Sequence, residues 1–213
     1  MKIAVIGAAG GVGRRVVAQA ARAEHQVAAL VRRDEQADMM SLYGAKPVMG
    51  DLAGDWQSVL DGADAVVWAA GAGASGDYAA IDGEALKRVA DTLVERGPKR
   101  LIVVSSMGVD RPEQMPPFLQ QVLKVKAESD SYVQGRALDW TIVRPGGLTD
   151  EPGSGKVTLG THAPGGSISR DDVAALVLAC LNDPSTVGQT FEAVAGDQGL
   201  TDALGGLPDP STR

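Results

Sequence analysis

Gly7, Gly10 and Gly13 stand at the spacing that lets a chain hold a phosphate. Gly7 allows the chain to turn at a strand end. Gly10 leaves no Cβ between backbone and phosphate, and Gly13 lets a helix pack close against the strand. The spacing alone says little in a chain with 27 glycines among 213 residues, so its setting decides. Lys2-Ile3-Ala4-Val5-Ile6 is an apolar run of strand length. It enters Gly7-Ala8-Ala9-Gly10-Gly11-Val12-Gly13, and Arg14 to Ala20 then reads as a helix. Ala9, Gly11 and Val12 thereby join the glycines at a helix N-terminus, where unpaired N–H groups and the helix dipole favour a dinucleotide pyrophosphate.

The second strand, Gln26 to Val31, ends in Arg32-Arg33. An acidic residue about 20 residues past the glycines would take a ribose 2′-hydroxyl. A guanidinium instead matches a 2′-phosphate bidentately, so NADP(H) is expected over NAD(H). The competing reading makes Arg32 and Arg33 solvated loop charges, with Asp34 as a partner for one of them. Val48 to Leu52 closes the third strand with Asp51, an acceptor for the adenine amino group or a plain turn residue, followed by Leu52. The fourth strand ends in Ala69-Ala70-Gly71, small enough for a nucleotide to lie across the strand ends.

Strand-like and helix-like runs alternate along the chain. Strands are expected over Lys2–Ile6, Gln26–Val31, Lys46–Met49, Ala65–Ala69, Arg100–Ser105, Leu138–Val143 and Thr190–Ala195. Helices are expected over Gly11–Ala23, Glu35–Leu42, Trp56–Leu60, Tyr78–Arg96, Pro117–Gln134 and Arg170–Leu181. Continuous apolar strands suit a parallel sheet covered on both faces. The fold class is therefore α/β: a doubly wound Rossmann sheet of about seven strands in one domain, residues 1–196. Residues 197–213 are expected to fray. Asp150–Ser167 is the least regular stretch and is expected to cover one end of the cleft.

A net charge of −7 gives no electrostatic footprint for nucleic acid. No apolar stretch reaches the length of a membrane span, and the N-terminus lacks a signal-peptide layout. A cytoplasmic protein with a small-molecule partner, monomeric or homodimeric, is the simplest expectation. The single cysteine, Cys180, lies in an apolar helical run and reads as a core residue. No metal site is expected.

Taken together, the motifs resemble the short-chain dehydrogenase/reductase superfamily in its atypical, epimerase/dehydratase-like NAD(P)-binding branch. The likeness rests on the glycine turn, Gly50-Asp51-Leu52, Ala69-Ala70-Gly71, Lys99 to Ser106, Asp139 to Gly146 and Ile168 to Ala174. It implies an NADP(H) cofactor, with Pro145 and Gly146 among the residues that bind it. It also implies a serine after the fifth strand and a Tyr-x-x-x-Lys on the next helix, the lysine binding the nicotinamide ribose and lowering the tyrosine pKa. Ser105, Ser106 and Lys126 occupy such places, but Val122 stands where the tyrosine belongs. His162, in the irregular stretch, is a candidate proton donor near neutral pH. Tyr78 precedes a helix, and Tyr132 falls off the catalytic face.

A reductase that needs little acid catalysis fits best, passing a hydride from NADPH to a quinone-, flavin- or carbonyl-type acceptor. A non-enzymatic NADP(H)-binding sensor or scaffold is the alternative, favoured by the missing tyrosine. Sugar-nucleotide epimerase or dehydratase activity comes third, since the chain after the sixth strand is short for a sugar-nucleotide domain.

Overall fold

A computed structural model describes residues 1–208. Seven strands lie parallel: β1 (Lys2–Ile6), β2 (Gln26–Val31), β3 (Lys46–Met49), β4 (Ala65–Trp68), β5 (Arg100–Val104), β6 (Asp139–Pro145) and, after three short ones, β10 (Gln189–Ala195). The short ones are β7 (Gly147–Thr149), β8 (Lys156–Gly160) and β9 (Ser167–Ser169). A last strand, β11 (Gln198–Gly199), completes a nine-stranded sheet in the order β11-β8-β10-β6-β5-β4-β1-β2-β3. β8 runs antiparallel to both β10 and β11, while β7 and β9 pair separately. The expected Rossmann sheet is thus present, with a mixed edge added.

The helices are α1 (Gly13–Arg22), α2 (Asp34–Leu42), α3 (Leu86–Arg96), α4 (Pro117–Gln134), α5 (Arg170–Asn182) and α6 (Leu200–Gly205). Strand side chains alternate between the two faces. Ile3 and Val5 of β1 pack with Val16 and Val17 of α1 and Val173 and Val177 of α5. Ala4 and Ile6 point the other way, with Leu86 and Val89 of α3 and Val133 of α4. The apolar strand runs therefore read as they do because both faces are covered. Among the described residues, no helix is long and apolar enough to cross a membrane.

Several elements depart from expectation. The run at Trp56–Leu60 makes a single 3₁₀ turn, Gln57–Leu60, with Trp56 buried. The helix expected over Tyr78–Arg96 is π-helical over Ala79–Ala85 before it becomes α3. Its wider turn carries a buried acid, Asp82, an arrangement in which π-turns often serve a site. The expectation of a frayed end is corrected up to Leu207. β11 continues the sheet, and α6 buries Ala203 and Leu204 against the α5 face, an apolar anchor that a composition-based reading overlooks. The expected tail beyond 208 lies outside the described residues.

The strand order reverses between β1 and β4. One neighbour of β1 leads to β2 and β3, the other to β4, β5 and β6. Beyond the carboxyl ends of these two strands lies the crevice where doubly wound sheets bind ligands.

Cys180 sits fully buried on α5, and burial pushes its thiol up to about 12. An Ellman titration at pH 8 is expected to show no reaction in the folded protein and one thiol after unfolding. Fast labelling of the native protein would contradict this packing.

Candidate functional site

The glycine turn works as its spacing suggests. Gly7 has φ +85°, and a Cβ there would stand 2.4 Å from the Ala70 nitrogen. A Cβ on Gly13 would stand 2.1 Å from the Gly7 carbonyl oxygen. Strand end, helix start and the segment after β4 therefore meet backbone to backbone. The Gly10 amide donates to the Gly7 carbonyl at 3.0 Å and closes the turn. α1 begins without a side-chain cap and without an acid in its first turn. The Arg14 and Arg15 amides already donate to the Gly10 and Val12 carbonyls at 3.0 Å, so contact with an anion would fall to the amides of the turn ahead of them.

Beside this turn opens a cleft of about 540 Å³, within the usual range for a small-molecule site. Gly7, Ala9, Gly10, Arg32, Asp51, Leu52, Ala69, Ala70 and Gly71 line it, together with Leu30, Gln36 and Ile81. These residues fit an adenosine diphosphate moiety. Backbone and small side chains form the walls at the glycine turn and after β4, apolar Leu30 and Ile81 add surface on which a base could pack, and Arg32 adds a cation. The exposed Arg32 guanidinium stands 3.9 Å from the Asp51 carboxylate. Asp51 also accepts its own turn's Ala53 amide at 2.9 Å, so one carboxylate oxygen serves the turn while the other faces Arg32. Arg33 is exposed outside the cleft lining, at the N-cap of α2.

Gly11, Val12 and Gly13 also lie outside the lining. Val12 and Gly13 are buried, and the space of a Gly11 Cβ is taken by Arg170, whose Nε would be 2.7 Å away. Pro145 ends β6, buried. A Cβ on Gly146 would meet the Gly166 carbonyl oxygen at 2.5 Å. Gly146 thus permits the Gly166 segment to cross the strand ends.

The expected polar residues Ser105, Ser106, Lys126 and His162 lie outside the cleft lining, and each is held by a carboxylate or a carbonyl. Lys126 Nζ lies 2.7 Å from Oδ1 of Asp82, which is 2% exposed. The other Asp82 oxygen accepts the Ala72 amide at 2.9 Å. Asp82 thereby ties α4 to the loop that walls the cleft. Ser105 donates to Asp130 at 3.0 Å, and Asp130 also receives Arg144 Nε at 3.0 Å. Burial pushes Asp130 above the usual carboxylate range, against the opposing pull of Arg144, Ser105 and Lys126. Ser106 is half-buried and leans on the Met107 carbonyl. Tyr132 donates to Asp91 and stacks under Arg136 on the α3 side, away from the cleft as expected.

His162 is exposed and lies 2.8 Å from Asp110. Although burial raises the Asp110 pKa, the bond from His162 and the charge of Arg111 outweigh it and hold the carboxyl below its ordinary value. Behind this pair lies Glu192, fully buried in β10. It accepts the Gly108 amide at 3.1 Å and the Ala163 amide at 2.9 Å, and Arg111 reaches it at 2.8 Å. The bond to Glu192 raises the Arg111 pKa. One carboxylate therefore staples the loop after β5 to the loop bearing His162.

Asp82, Asp130, Arg144, Glu192 and Arg170 were not foreseen as site residues. Two left signals in the sequence. Asp130 stands one helical turn after Lys126 and shares its face, and Glu192 is a lone charge in an apolar strand run, a position that requires a partner. Asp82 and Arg170 left none, since their partners lie far off in sequence.

A family described as NAD(P)H-binding matches residues 7–184. The uncharacterized sugar epimerase YhfK of Bacillus subtilis (strain 168) is 33% identical over 211 residues, covering 96% of this chain and 99% of its own. A solved Bacillus halodurans protein, classed with NAD-dependent epimerase/dehydratases, superposes with a TM-score of 0.92 at 34% identity over 96% of this chain and 99% of its own. ChuY of Escherichia coli O157:H7, an anaerobilin reductase, does so with a TM-score of 0.79 at 26% identity, covering 93% and 98%.

Asp130→Ala strands the Arg144 guanidinium, whose side chain is only 13% exposed. Breaking such a pair is expected to cost about 3–5 kcal/mol, read from denaturant unfolding, with Asp130→Asn costing less. A midpoint unchanged in Asp130→Ala would show that the pair is not needed for folding.

Proposed function

Because the chain belongs to the NAD(P)H-binding family of atypical, short-chain dehydrogenase/reductase-like Rossmann proteins, we propose that it is an NADPH-dependent reductase of a quinone-, flavin- or carbonyl-type acceptor. The observation that carries this reading is the cleft itself. Backbone and small residues line it beside the glycine turn, and the exposed guanidinium of Arg32 in the same lining supports a 2′-phosphate as its partner. When bound, the nicotinamide supplies a hydride. The chain's residues bind, orient and manage protons around it.

Gly7, Ala9 and Gly10 offer the phosphate contacts, with α1 behind them. Arg32 takes the 2′-phosphate in a fork, and Asp51, relieved of Arg32, accepts from the adenine amino group. Lys126, fixed by Asp82, would donate to the nicotinamide ribose hydroxyls, the role the family resemblance implies for it. Ser105, tied to Asp130, and Ser106 flank the reacting end. His162, held by Asp110, is the candidate proton donor in this reading. An acceptor that takes its second proton from water has no need of it, whereas a carbonyl or quinone oxygen gains from it.

A second reading, a cofactor-dependent sensor or scaffold, draws on one observation. Both Lys126 and Ser105 are committed to carboxylates, and Val122 brings no proton to the place of the tyrosine. ChuY, an anaerobilin reductase at 26% identity, supports the enzymatic reading.

Arg32→Asp is expected to weaken NADPH binding about a hundredfold and NADH little, read by calorimetry. Equal losses for both would remove the 2′-phosphate assignment. His162→Gln is expected to slow turnover of carbonyl and quinone acceptors about a hundredfold with NADPH affinity intact. NADPH oxidation absent across quinones, flavins and aldehydes, alongside tight binding, would favour the sensor.

A further inference from the structure

Ser105 stands where β5 gives way to its loop at the carboxyl edge of the sheet, and its amide donates to the Val143 carbonyl at 2.8 Å. Its hydroxyl meets Oδ2 of Asp130 at 3.0 Å. That oxygen is crowded. Arg144 reaches it twice, through Nε at 3.0 Å and through Nη2 at 3.0 Å. Among the described residues no N–H or O–H donor is bonded to the Ser105 oxygen itself.

A hydroxyl has one hydrogen and two lone pairs. A carboxyl oxygen that already faces two guanidinium N–H groups carries no proton of its own, so the hydrogen in the Ser105–Asp130 contact belongs to the serine. Burial pushes the Asp130 carboxyl up, and a proton taken up there goes to Oδ1, the less crowded oxygen. The bond therefore runs from Ser105 to Asp130 in either charge state. Asp130 is 1% exposed and Ser105 8%, so little water is at hand to replace the bond. Turning the hydrogen away would forfeit a charge-assisted bond and leave a buried carboxylate short of a donor. The family resemblance casts this serine as a donor to the reacting oxygen, yet its hydrogen is already given. Lys126, one helical turn before Asp130, is held by Asp82 in the same way.

We infer that Ser105 meets the acceptor with its lone pairs, so that the favoured acceptors carry an N–H or O–H donor beside the atom that is reduced. The inference rests on the reductase reading above and narrows its acceptor class. The imide N–H of an isoalloxazine and the hydroxyl of an α-hydroxyketone share this chemistry. A plain quinone or ketone sets lone pair against lone pair. Asp130 acts through Ser105 as a positioning residue, since it fixes which way the hydroxyl points.

Two pairs of probes test this, each pair differing by one methyl on the donor: lumiflavin with 3-methyllumiflavin, and hydroxyacetone with methoxyacetone. NADPH oxidation gives kcat/KM, and calorimetry on the protein loaded with NADP+ gives affinity. In the pair it accepts, the wild-type protein is expected to favour the donor-bearing member about tenfold in both readouts. Ser105→Ala is expected to lower only that member, to the level of its methylated analogue. A preference that survives Ser105→Ala is steric, and equal losses for both members mean that the serine donates. Either overturns the assignment. A carbon-13 titration of the Asp130 carboxyl checks the bond itself with no cofactor present. Ser105→Ala is expected to move that titration upward, because the carboxylate loses a donor; an unchanged or lower value overturns the assignment as well. Should Ser105→Ala fail to fold, the wild-type preference decides alone. A protein that binds NADPH but neither oxidises it with any of the four probes nor binds them loses the reductase reading, and this assignment with it. Turnover of both members of a pair without preference leaves the reductase standing and removes the assignment alone.

Discussion

The site depends on one steric constraint: the backbone after β1 must pass within van der Waals distance of the backbone after β4 and of the start of α1. At Gly7 a Cβ would fall 2.4 Å from Ala70 nitrogen, and at Gly13 it would fall 2.1 Å from Gly7 oxygen. In both cases the obstacle is backbone, which cannot rotate away as a side chain can. Glycine is thus fixed at both positions by the crossing, before any ligand is considered. The same crossing points the uncapped end of α1 into the gap between β1 and β4, and small residues at Ala69, Ala70 and Gly71 keep that gap open. The cleft is a by-product of how tightly three segments meet.

Away from that crossing, the polar residues are organised by buried carboxylates. On α4, Lys126 and Asp130 stand one turn apart and carry opposite charges, and each finds its partner across a different gap: Lys126 on Asp82, Asp130 on Arg144 and Ser105. Glu192 does the same for the loops after β5 and β8. Such pairs repay desolvation only with good geometry and further hydrogen bonds, and their net contribution to stability is small. Their effect here is positional. They fix where the loops sit, alongside the small apolar cluster of Met107, Ala163 and Val194, and they hold Lys126 and Ser105 in place at the same time.

The sheet and the nucleotide end of the cleft were legible in the sequence because both are written in local runs. An apolar stretch of strand length, a glycine turn and a helix former occupy consecutive residues, and Arg32 follows its strand directly. The edge of the sheet was not legible. β8 and β11 are short, polar-flanked and antiparallel, and they exist because they complete the hydrogen bonding of β10. α6 is anchored by only Ala203 and Leu204, too little for a periodic signal. The carboxylate pairs were hidden for another reason. Asp82 meets Lys126, and Asp150 meets Arg15 and Arg170, across separations that no spacing rule spans. Gly11 shows the limit well: it reads as part of a phosphate motif, yet what fills its missing Cβ is an arginine from another helix.

The two ends of the site are therefore built from different materials, and this bears on how one fold serves many acceptors. The nucleotide end is backbone and small residues locked by a crossing that tolerates no substitution. The other end is a set of irregular segments, after β5 and between β8 and β9, pinned by Glu192 and carrying Asp110 and His162 at their surface. Among the described residues those segments share no backbone hydrogen bond with Gly7 or Gly13, so a change in them need not disturb the crossing. Loops on a rigid scaffold are where function diverges. Here the scaffold ends where backbone contacts give way to ion pairs. Val122 stands where the family's tyrosine belongs, and these loops carry the Asp110–His162 pair. The chemistry open to the protein is thus set by what its loops carry rather than by its helices.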